Sequence, residues 1–139
     1  MSTWIVVEDE PDLYKVVLIL YKLMGVQSAG FASGEETASW IADVDNGRYE
    51  GELPRLALVD IRLPGEIDGV DVGARLRESP ALRNMAIVLM TGFYMTPEQE
   101  QSALERSGAD MLLRKPLPNP ITFQALLDEK LGQRRMIYG

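Results

Sequence analysis

The segment TWIVVEDE (residues 3–10) joins an apolar run rich in β-branched side chains to three consecutive acidic residues. A short run of this kind, stopped by charges, is typical of a strand that is buried on both faces of a parallel sheet. Four further runs of strand length follow it along the chain, at Val26–Phe31, Arg55–Val59, Ala86–Met90 and Met111–Leu113. The sequence therefore predicts five strands.

Helical patterns separate these strands. The first predicted helix has apolar residues at the spacing of a single helical face, namely Leu13, Val16, Val17, Leu20, Leu23 and Met24. Capping residues, glycines and prolines predict four further helices, at about residues 33–47, 69–78, 96–108 and from 119 onward. Strands that alternate with helices predict an α/β fold in which helices cover both faces of a five-stranded parallel sheet.

The composition restricts the chemistry that the chain can perform. With 139 residues, 46% of them hydrophobic and 25% charged, the sequence suits one compact globular domain. It contains no cysteine and no histidine, which excludes disulfides, thiolate or histidine catalysis, and metal sites built from these residues. Chemistry must come from carboxylates, hydroxyls or lysine, and any metal is expected to be a hard cation such as Mg²⁺.

Charge and hydropathy also limit the partners. The 21 acidic residues exceed the 14 basic ones, the formal net charge is −7, and repulsion from phosphates therefore disfavours nucleic-acid binding. The longest apolar runs, such as residues 16–21, are far shorter than the roughly 20 residues of a membrane-spanning helix. The N-terminus lacks the basic and apolar regions of a signal peptide. We therefore expect a cytoplasmic protein with neither nucleic-acid nor membrane partners.

Polar residues follow the predicted strands at the edge where a parallel α/β sheet forms its binding sites. They are Glu8, Asp9 and Glu10 after the first strand, Asp60 after the third, Thr91 after the fourth and Lys115 after the fifth. Clustered carboxylates repel one another and are expected to bind a divalent cation. A nearby lysine and hydroxyl suit the oxygens of an incoming phosphoryl group, for which Asp60 would be the nucleophile.

Two of these residues also have a purely structural interpretation. Glu10 lies nearest to the start of the first helix, where an acidic side chain can cap the backbone. Lys115 could pair with Asp60 only to offset the cost of burying a carboxylate. The sequence leaves both interpretations open.

Four segments together carry a family resemblance. IVVEDEP (residues 5–11), LVDIRLPG (58–65), MTG (90–92) and KP (115–116) occur in this order, each at the end of a predicted strand. In this arrangement the chain resembles the receiver domain of two-component response regulators. The resemblance implies a flavodoxin-like (βα)₅ fold, doubly wound, with residues 1–139 forming one receiver domain and no output domain.

The resemblance also implies roles for individual residues. A histidine kinase or a histidine phosphotransfer protein would donate a phosphoryl group from phosphohistidine to Asp60. The implied catalytic residues are Asp60, Thr91 and Lys115, and the implied Mg²⁺ ligands are Asp9, Asp60, the main-chain carbonyl of Arg62 and, through water, Glu8. The peptide bond between Lys115 and Pro116 is expected to be cis.

Four features depart from the usual pattern of the family. They are glutamate in place of aspartate at Glu8, a loop between Asp60 and Gly69 that is one residue longer, glycine in place of alanine at Gly92, and Leu112 in place of an aromatic ring. Since Leu112 has no ring to rotate on activation, we expect Phe93 and Tyr94 to take over that response. We expect the segment 93–106 and the fifth helix to contact the partner.

Three functions are compatible with these residues. The first is a stand-alone receiver that catalyses its own phosphorylation and dephosphorylation without being a turnover enzyme, and that signals through phosphorylation-dependent contacts with a downstream protein. The second is a Mg²⁺-dependent phosphatase with an aspartyl nucleophile, although Arg62 occupies the position where such an enzyme commonly carries its acid/base. The third is a pseudo-receiver that binds a partner without being phosphorylated.

Overall fold

Five strands and five helices alternate strictly along this computed structural model, which describes residues 2–138 and the side chains of residues 2–136. The strands are β1 (Thr3–Val7), β2 (Gln27–Phe31), β3 (Leu56–Asp60), β4 (Ala86–Thr91) and β5 (Met111–Arg114). The helices are α1 (Pro11–Leu23), α2 (Gly34–Asp45), α3 (Gly69–Glu78), α4 (Pro97–Ser107) and α5 (Pro120–Tyr138). The α/β fold predicted from the sequence is confirmed.

All strand pairs are parallel, and the strands lie in the order β2-β1-β3-β4-β5. The chain moves from β1 outward to β2 and then returns past β1 to β3, so the direction of winding reverses between β1 and β3. The sheet is therefore doubly wound. A reversal of this kind opens a crevice at the carboxyl ends of the two strands.

Alternate side chains of the strands form two separate cores, one on each face of the sheet. The first core packs against α2, α3 and α4, and its strand residues include Ile5, Val7, Ala57, Val59, Ile87 and Leu89. The second core packs against α1 and α5, and its strand residues include Trp4, Val6, Leu56, Leu58, Val88 and Met90. Because both faces of the central strands are covered by helices, these strands are apolar at consecutive positions and show no alternation of apolar and polar residues.

The buried face of α1 differs from the predicted one. Val16 and Leu23, expected in the core, are 46% and 76% exposed. Tyr21 is fully buried instead: its ring meets Trp4 edge to face, and its hydroxyl donates a 3.0 Å hydrogen bond to the carbonyl of Ile5. Apolar residues cover more than one side of α1, so spacing alone did not show that the side carrying Tyr21 faces the sheet.

The ends of the helices follow the predicted capping signals with one correction. Thr96 and Gln99 form the expected reciprocal capping box of α4. At α2, Ser33 accepts the backbone N–H of Glu36, but the carboxylate of Glu36 accepts from Ala32 and not from Ser33. The reciprocal capping box that the spacing of Ser33 and Glu36 predicts is therefore only half formed. Across the described residues, no helix is long and apolar enough to cross a membrane.

Replacement of two leucines by alanine tests the corrected face of α1. Leu20→Ala should reduce the free energy of unfolding by about 2–5 kcal/mol, because it opens a cavity in a packed core, whereas Leu23→Ala should change it by less than about 0.5 kcal/mol. Denaturant titration of both variants measures the difference. Equal losses would contradict the burial of Leu20 at 8% exposure against 76% for Leu23.

Candidate functional site

The ends of β1 and β3 place two carboxylates beside each other. β1 and β3 pair in register from Trp4 with Leu56 to Val7 with Val59, so the next residue of each strand, Glu8 and Asp60, extends into the crevice. The backbone N–H of Glu8 bonds to the carbonyl of Phe31 at 3.0 Å, which continues the ladder with β2 past the last strand residue. Pairing within the sheet thus fixes the backbone positions of both Glu8 and Asp60.

Glu8, Asp9 and Asp60 form a compact carboxylate cluster. One carboxylate oxygen of each lies within 4.8 Å of the others. Glu8 and Asp60 are buried, with 1% and 5% exposure, while Asp9 is exposed. The structure thus brings together the three acidic side chains that the sequence analysis proposed as metal ligands.

Lys115 lies against the two buried carboxylates. Its Nζ is 3.1 Å from Oε2 of Glu8 and 3.4 Å from Oδ2 of Asp60. Its backbone N–H bonds to the carbonyl of Thr91 at 2.8 Å, and the peptide bond to Pro116 is cis, as expected. The ammonium therefore offsets two buried negative charges, so the structural interpretation of Lys115 holds alongside any chemical role.

The cluster changes the pKa of two of its groups. Burial and the negative charge of Glu8 raise the pKa of Asp60 to about 6, although Lys115 and the backbone of Arg62 act in the opposite direction. Burial lowers the pKa of Lys115, but the hydrogen bond to Glu8 and the charge of Asp60 outweigh it and leave a raised pKa. Lys115 is a cation at neutral pH, and Asp60 changes from neutral to ionised around pH 6, as its pKa implies.

Thr91, the last residue of β4, is buried beside the end of β3, since Asp60 pairs with the preceding residue Met90. Its Oγ1 accepts the backbone N–H of Phe93 and its hydroxyl donates to the carbonyl of Phe93, both at 3.3 Å. The hydroxyl is thus held by the loop that follows β4, next to the strand that carries Asp60.

Arg62 and Phe93 stack on each other beyond the ends of β3 and β4. The guanidinium carbon of Arg62 lies 4.0 Å from the centre of the Phe93 ring, a cation–π contact. No pattern in the sequence predicts this contact. Arg62 is two residues after Asp60 and Phe93 is two residues after Thr91, so the stack joins the loops that follow β3 and β4.

Glu10 takes the structural role that the sequence left open. Its carboxylate accepts the backbone N–H of Leu13 at 3.3 Å and so caps α1. It does not belong to the cluster formed by Glu8, Asp9 and Asp60. Of the three consecutive acids, two point their carboxylates at the crevice and the third stabilises the helix.

A contact with the loop after Asp60 was also missed. Glu35, in the first turn of α2, accepts the backbone N–H groups of Glu66 and Ile67 through Oε2, at 2.9 and 3.3 Å. The partners are more than 30 residues apart in sequence. No local pattern carries a signal for such a contact, since an acidic residue at this position of a helix already suits the helix dipole.

The donor set fits a hard divalent cation. Its side-chain donors are all carboxylate oxygens, which Mg²⁺ prefers, and two of the three carboxylates are buried, where their mutual repulsion is costly without a cation. Lys115 supplies one positive charge against three negative ones. The cluster therefore has both the ligand chemistry and the unbalanced charge of a Mg²⁺ site.

Comparison with known proteins agrees with this arrangement. A family model for the response regulator receiver domain matches residues 4–127. The polar-differentiation response regulator DivK of Brucella suis is 28% identical over 115 residues, which cover 83% of this chain and 85% of DivK. The phosphate regulon transcriptional regulatory protein PhoB of Rhizobium meliloti is 32% identical over 115 residues, which cover 83% of this chain and 46% of PhoB.

Solved structures share the fold. A CheY-like receiver domain protein from Methanospirillum hungatei JF-1 has a TM-score of 0.75 and 25% identity, with 98% of each chain covered. The receiver domain of a sensor histidine kinase from Pseudomonas aeruginosa PAO1 has a TM-score of 0.76 and 20% identity, with 94% of this chain and 98% of that one covered. The latter structure contains a magnesium ion coordinated in its active-site cleft.

The doubly wound sheet and the acidic cluster at its point of reversal define a flavodoxin-like α/β protein with a carboxylate site. Within that class, the chain belongs to the response regulator receiver domain family. The resemblance seen in the sequence is thereby confirmed, together with the flavodoxin-like fold.

Titration of Asp60 tests the charges of the cluster. In the cation-free protein, the carboxyl of Asp60 should titrate with a pKa of about 6. Glu8→Gln should lower this pKa because it removes a neighbouring negative charge, and Lys115→Ala should raise it because it removes a positive charge 3.4 Å away. Carbon-13 NMR of aspartate-labelled protein, with Asp60→Asn to assign the signal, measures both. Shifts of equal sign in the two variants would refute the arrangement.

Proposed function

We propose that the chain accepts a phosphoryl group on the carboxylate of Asp60 from the phosphohistidine of a histidine kinase or a histidine phosphotransfer protein. A carboxylate oxygen attacks the phosphorus, the bond from phosphorus to the donor imidazole nitrogen breaks, and that nitrogen takes a proton. The observation that carries the proposal is the burial of Asp60 at the sheet's point of reversal, with Lys115 beside it.

Contacts within the cluster favour Asp60 over the other two acids as the acceptor. Glu8 has both oxygens engaged, Oε1 by the backbone N–H of Glu10 and Oε2 by Lys115, each at 3.1 Å. Asp9 is exposed, where water competes with any phosphoryl contact. Asp60 has the longer contact to Lys115 and lies at the base of the crevice, where donors can surround an incoming group.

Mg²⁺ is the cofactor of the proposed reaction. Asp9, Asp60 and the main-chain carbonyl of Arg62 would hold it, and Glu8 would hold its bound water. Its charge would offset the carboxylates and the phosphoryl oxygens during transfer. The magnesium ion in the Pseudomonas receiver structure supports this assignment by similarity of fold.

Lys115 and Thr91 are proposed to hold the phosphoryl oxygens after transfer. The ammonium of Lys115 already lies 3.4 Å from Asp60, so it can turn to a new anion with little movement. The hydroxyl of Thr91 makes two 3.3 Å hydrogen bonds to the backbone of Phe93. A shift of this hydroxyl toward the phosphoryl group would break both of them. The start of the segment 93–106 would then rearrange.

The receiver unit itself is proposed to signal by contact with a downstream protein, through the segment 93–106 and α5. Tyr94 is 82% exposed, and α4 buries only Ala103 and Ser107 among its residues. A helix held by so few buried side chains is easily displaced by a small change at its start. These features support a switch in this segment and not at Leu112.

The phosphatase alternative lacks a residue that it needs. Turnover of phosphate esters requires an acid to protonate the leaving group, and a guanidinium such as that of Arg62 does not serve as a general acid. Its guanidinium is also stacked on Phe93. The pseudo-receiver alternative leaves the clustering of three acidic side chains without a function, so phosphorylation accounts better for the site.

Replacement of the proposed acceptor gives the main test. Asp60→Asn should abolish labelling by acetyl phosphate in the presence of Mg²⁺, as followed by intact mass. Asp9→Asn should weaken Mg²⁺ binding strongly and Glu8→Gln less, because a ligand that acts through water contributes less. Asp12→Asn, a matched change at an exposed position of α1, should label like the wild type. Undiminished labelling of Asp60→Asn would overturn the proposal.

The stack of Arg62 on Phe93 predicts the rate of phosphoryl loss. Arg62 lies two residues after Asp60 and Phe93 two residues after Thr91, positions from which stacked side chains can crowd the attacking water, so the stack should slow hydrolysis. The double variant Arg62→Ala with Phe93→Ala should lose the group faster than the wild type, by about tenfold for a barrier change of 1.4 kcal/mol. Loss of phosphate over time measures the rate, with Tyr94→Ala as the control. An unchanged rate in the double variant would show that the stack is irrelevant to hydrolysis.

A further inference from the structure

The loop between β3 and α3, residues 62–68, carries the backbone next to the acceptor Asp60. Its base is closed by a 2.9 Å hydrogen bond from the backbone N–H of Gly69 to the carbonyl of Ile61. Between these two residues the loop contains no helix or strand. Its conformation therefore depends on contacts with other parts of the molecule, and it sets the position of Arg62.

Glu35 supplies such a contact from α2. Its Oε2 accepts two consecutive backbone N–H groups of the loop, from Glu66 at 2.9 Å and from Ile67 at 3.3 Å. The hydrogen bond from Glu66 is the largest of several effects that keep the pKa of Glu35 below its ordinary value. At neutral pH the bonds are thus made to a charged acceptor, which is stronger than a neutral one.

Two glycines allow this close approach. A Cβ at Gly34 would lie 2.2 Å from the carbonyl oxygen of Ile67, so only glycine lets the start of α2 pack on the loop. Gly65 has φ of +84°, and a Cβ there would lie 2.6 Å from Oε2 of Glu35. The backbones of the two segments are thus shaped for the contact of Glu35 with the loop.

Capping of α2 does not account for the position of the carboxylate. Ser33 accepts the N–H of Glu36 inside the helix, and Glu36 accepts the N–H of Ala32. Besides an interaction with its own backbone N–H, the carboxylate of Glu35 bonds through Oε2 to a segment that follows a different strand. The contact joins the β2–α2 corner to the loop beside the site.

We propose that Glu35 is a positioning residue of the phosphorylation site: by holding Glu66 and Ile67, it fixes the β3–α3 loop and so places the main-chain carbonyl and the side chain of Arg62. The inference rests on the proposed function, in which that carbonyl is a Mg²⁺ ligand. Glu35 itself touches neither the cation nor the phosphoryl group. Loss of its carboxylate loosens the loop and weakens Mg²⁺ binding at a distance.

Paired variants of two glutamates test this role. Glu66 lies in the same loop, is exposed, and has no side-chain hydrogen bond or ion pair among the described contacts. Glu66→Ala and Glu66→Gln therefore remove the same charge near the site but keep the hydrogen bonds from the loop backbone to Glu35. Three quantities are measured for Glu35→Ala, Glu35→Gln and both control variants. They are the amide exchange of residues 66 and 67 in cation-free protein, the Mg²⁺ dissociation constant from calorimetry, and the rate of labelling by acetyl phosphate.

Glu35→Ala should speed exchange at residues 66 and 67 by about tenfold, because each amide loses a charged acceptor. Its Mg²⁺ dissociation constant should rise by about three- to tenfold. This is less than the effect of removing a residue that hydrogen-bonds directly to a metal ligand, because Glu35 contacts Glu66 and Ile67 and not Arg62 itself. Glu35→Gln, which keeps a carbonyl acceptor, should fall between Glu35→Ala and the wild type. Both control variants should match the wild type within about twofold.

The outcomes separate the two proposals. If the wild type binds Mg²⁺ and is labelled, but Glu35→Ala behaves like Glu66→Ala, the proposed role of Glu35 is wrong. The proposed function is not affected by that result. A Glu35→Ala variant that loses thermal stability yet keeps the Mg²⁺ dissociation constant of the wild type also overturns the proposed role, since Glu35 would then only stabilise the fold. A wild type that neither binds Mg²⁺ nor becomes labelled overturns the proposed function and this inference with it.

Discussion

The ion pairs of Lys115 with Glu8 and Asp60 are the interaction on which the site depends. Two carboxylates buried side by side would repel each other and lose their hydration, a cost that a folded chain tolerates only with compensation. The ammonium lies within 3.4 Å of both. It lowers the cost without removing it, since Asp60 still has a raised pKa. The remaining imbalance favours binding of a further cation.

The sheet makes this arrangement possible by bringing distant parts of the chain to one edge. β1 and β3 are central neighbours, and their ends present Glu8 and Asp60 at the point where the winding reverses. Lys115 comes from the loop after the edge strand β5 and must reach across the end of β4 to meet them. Its backbone bond to Thr91 holds that loop against β4. The position of the ammonium therefore depends on the pairing of three strands.

The sequence was sufficient for features that depend on local pattern and on parallel topology. The strands, the alternation of elements and the convergence of Asp60 and Lys115 all follow from where apolar runs end. Features that depend on loop conformation or on a choice between apolar sides were missed. Tyr21 replaced Leu23 in the core because α1 is apolar on more than one side. The bonds of Glu35 join segments whose proximity only the folded backbone defines.

The position of Lys115 after the last strand of the sheet has a consequence for assembly. During synthesis the acidic residues of β1 and β3 emerge long before β5, and until β5 pairs with β4 the carboxylates lack their compensating charge. A chain that has closed only its first four strands carries the repulsion of the site without the ammonium that offsets it. Pairing of β5 with β4 and partial compensation of the acidic charge are thus coupled.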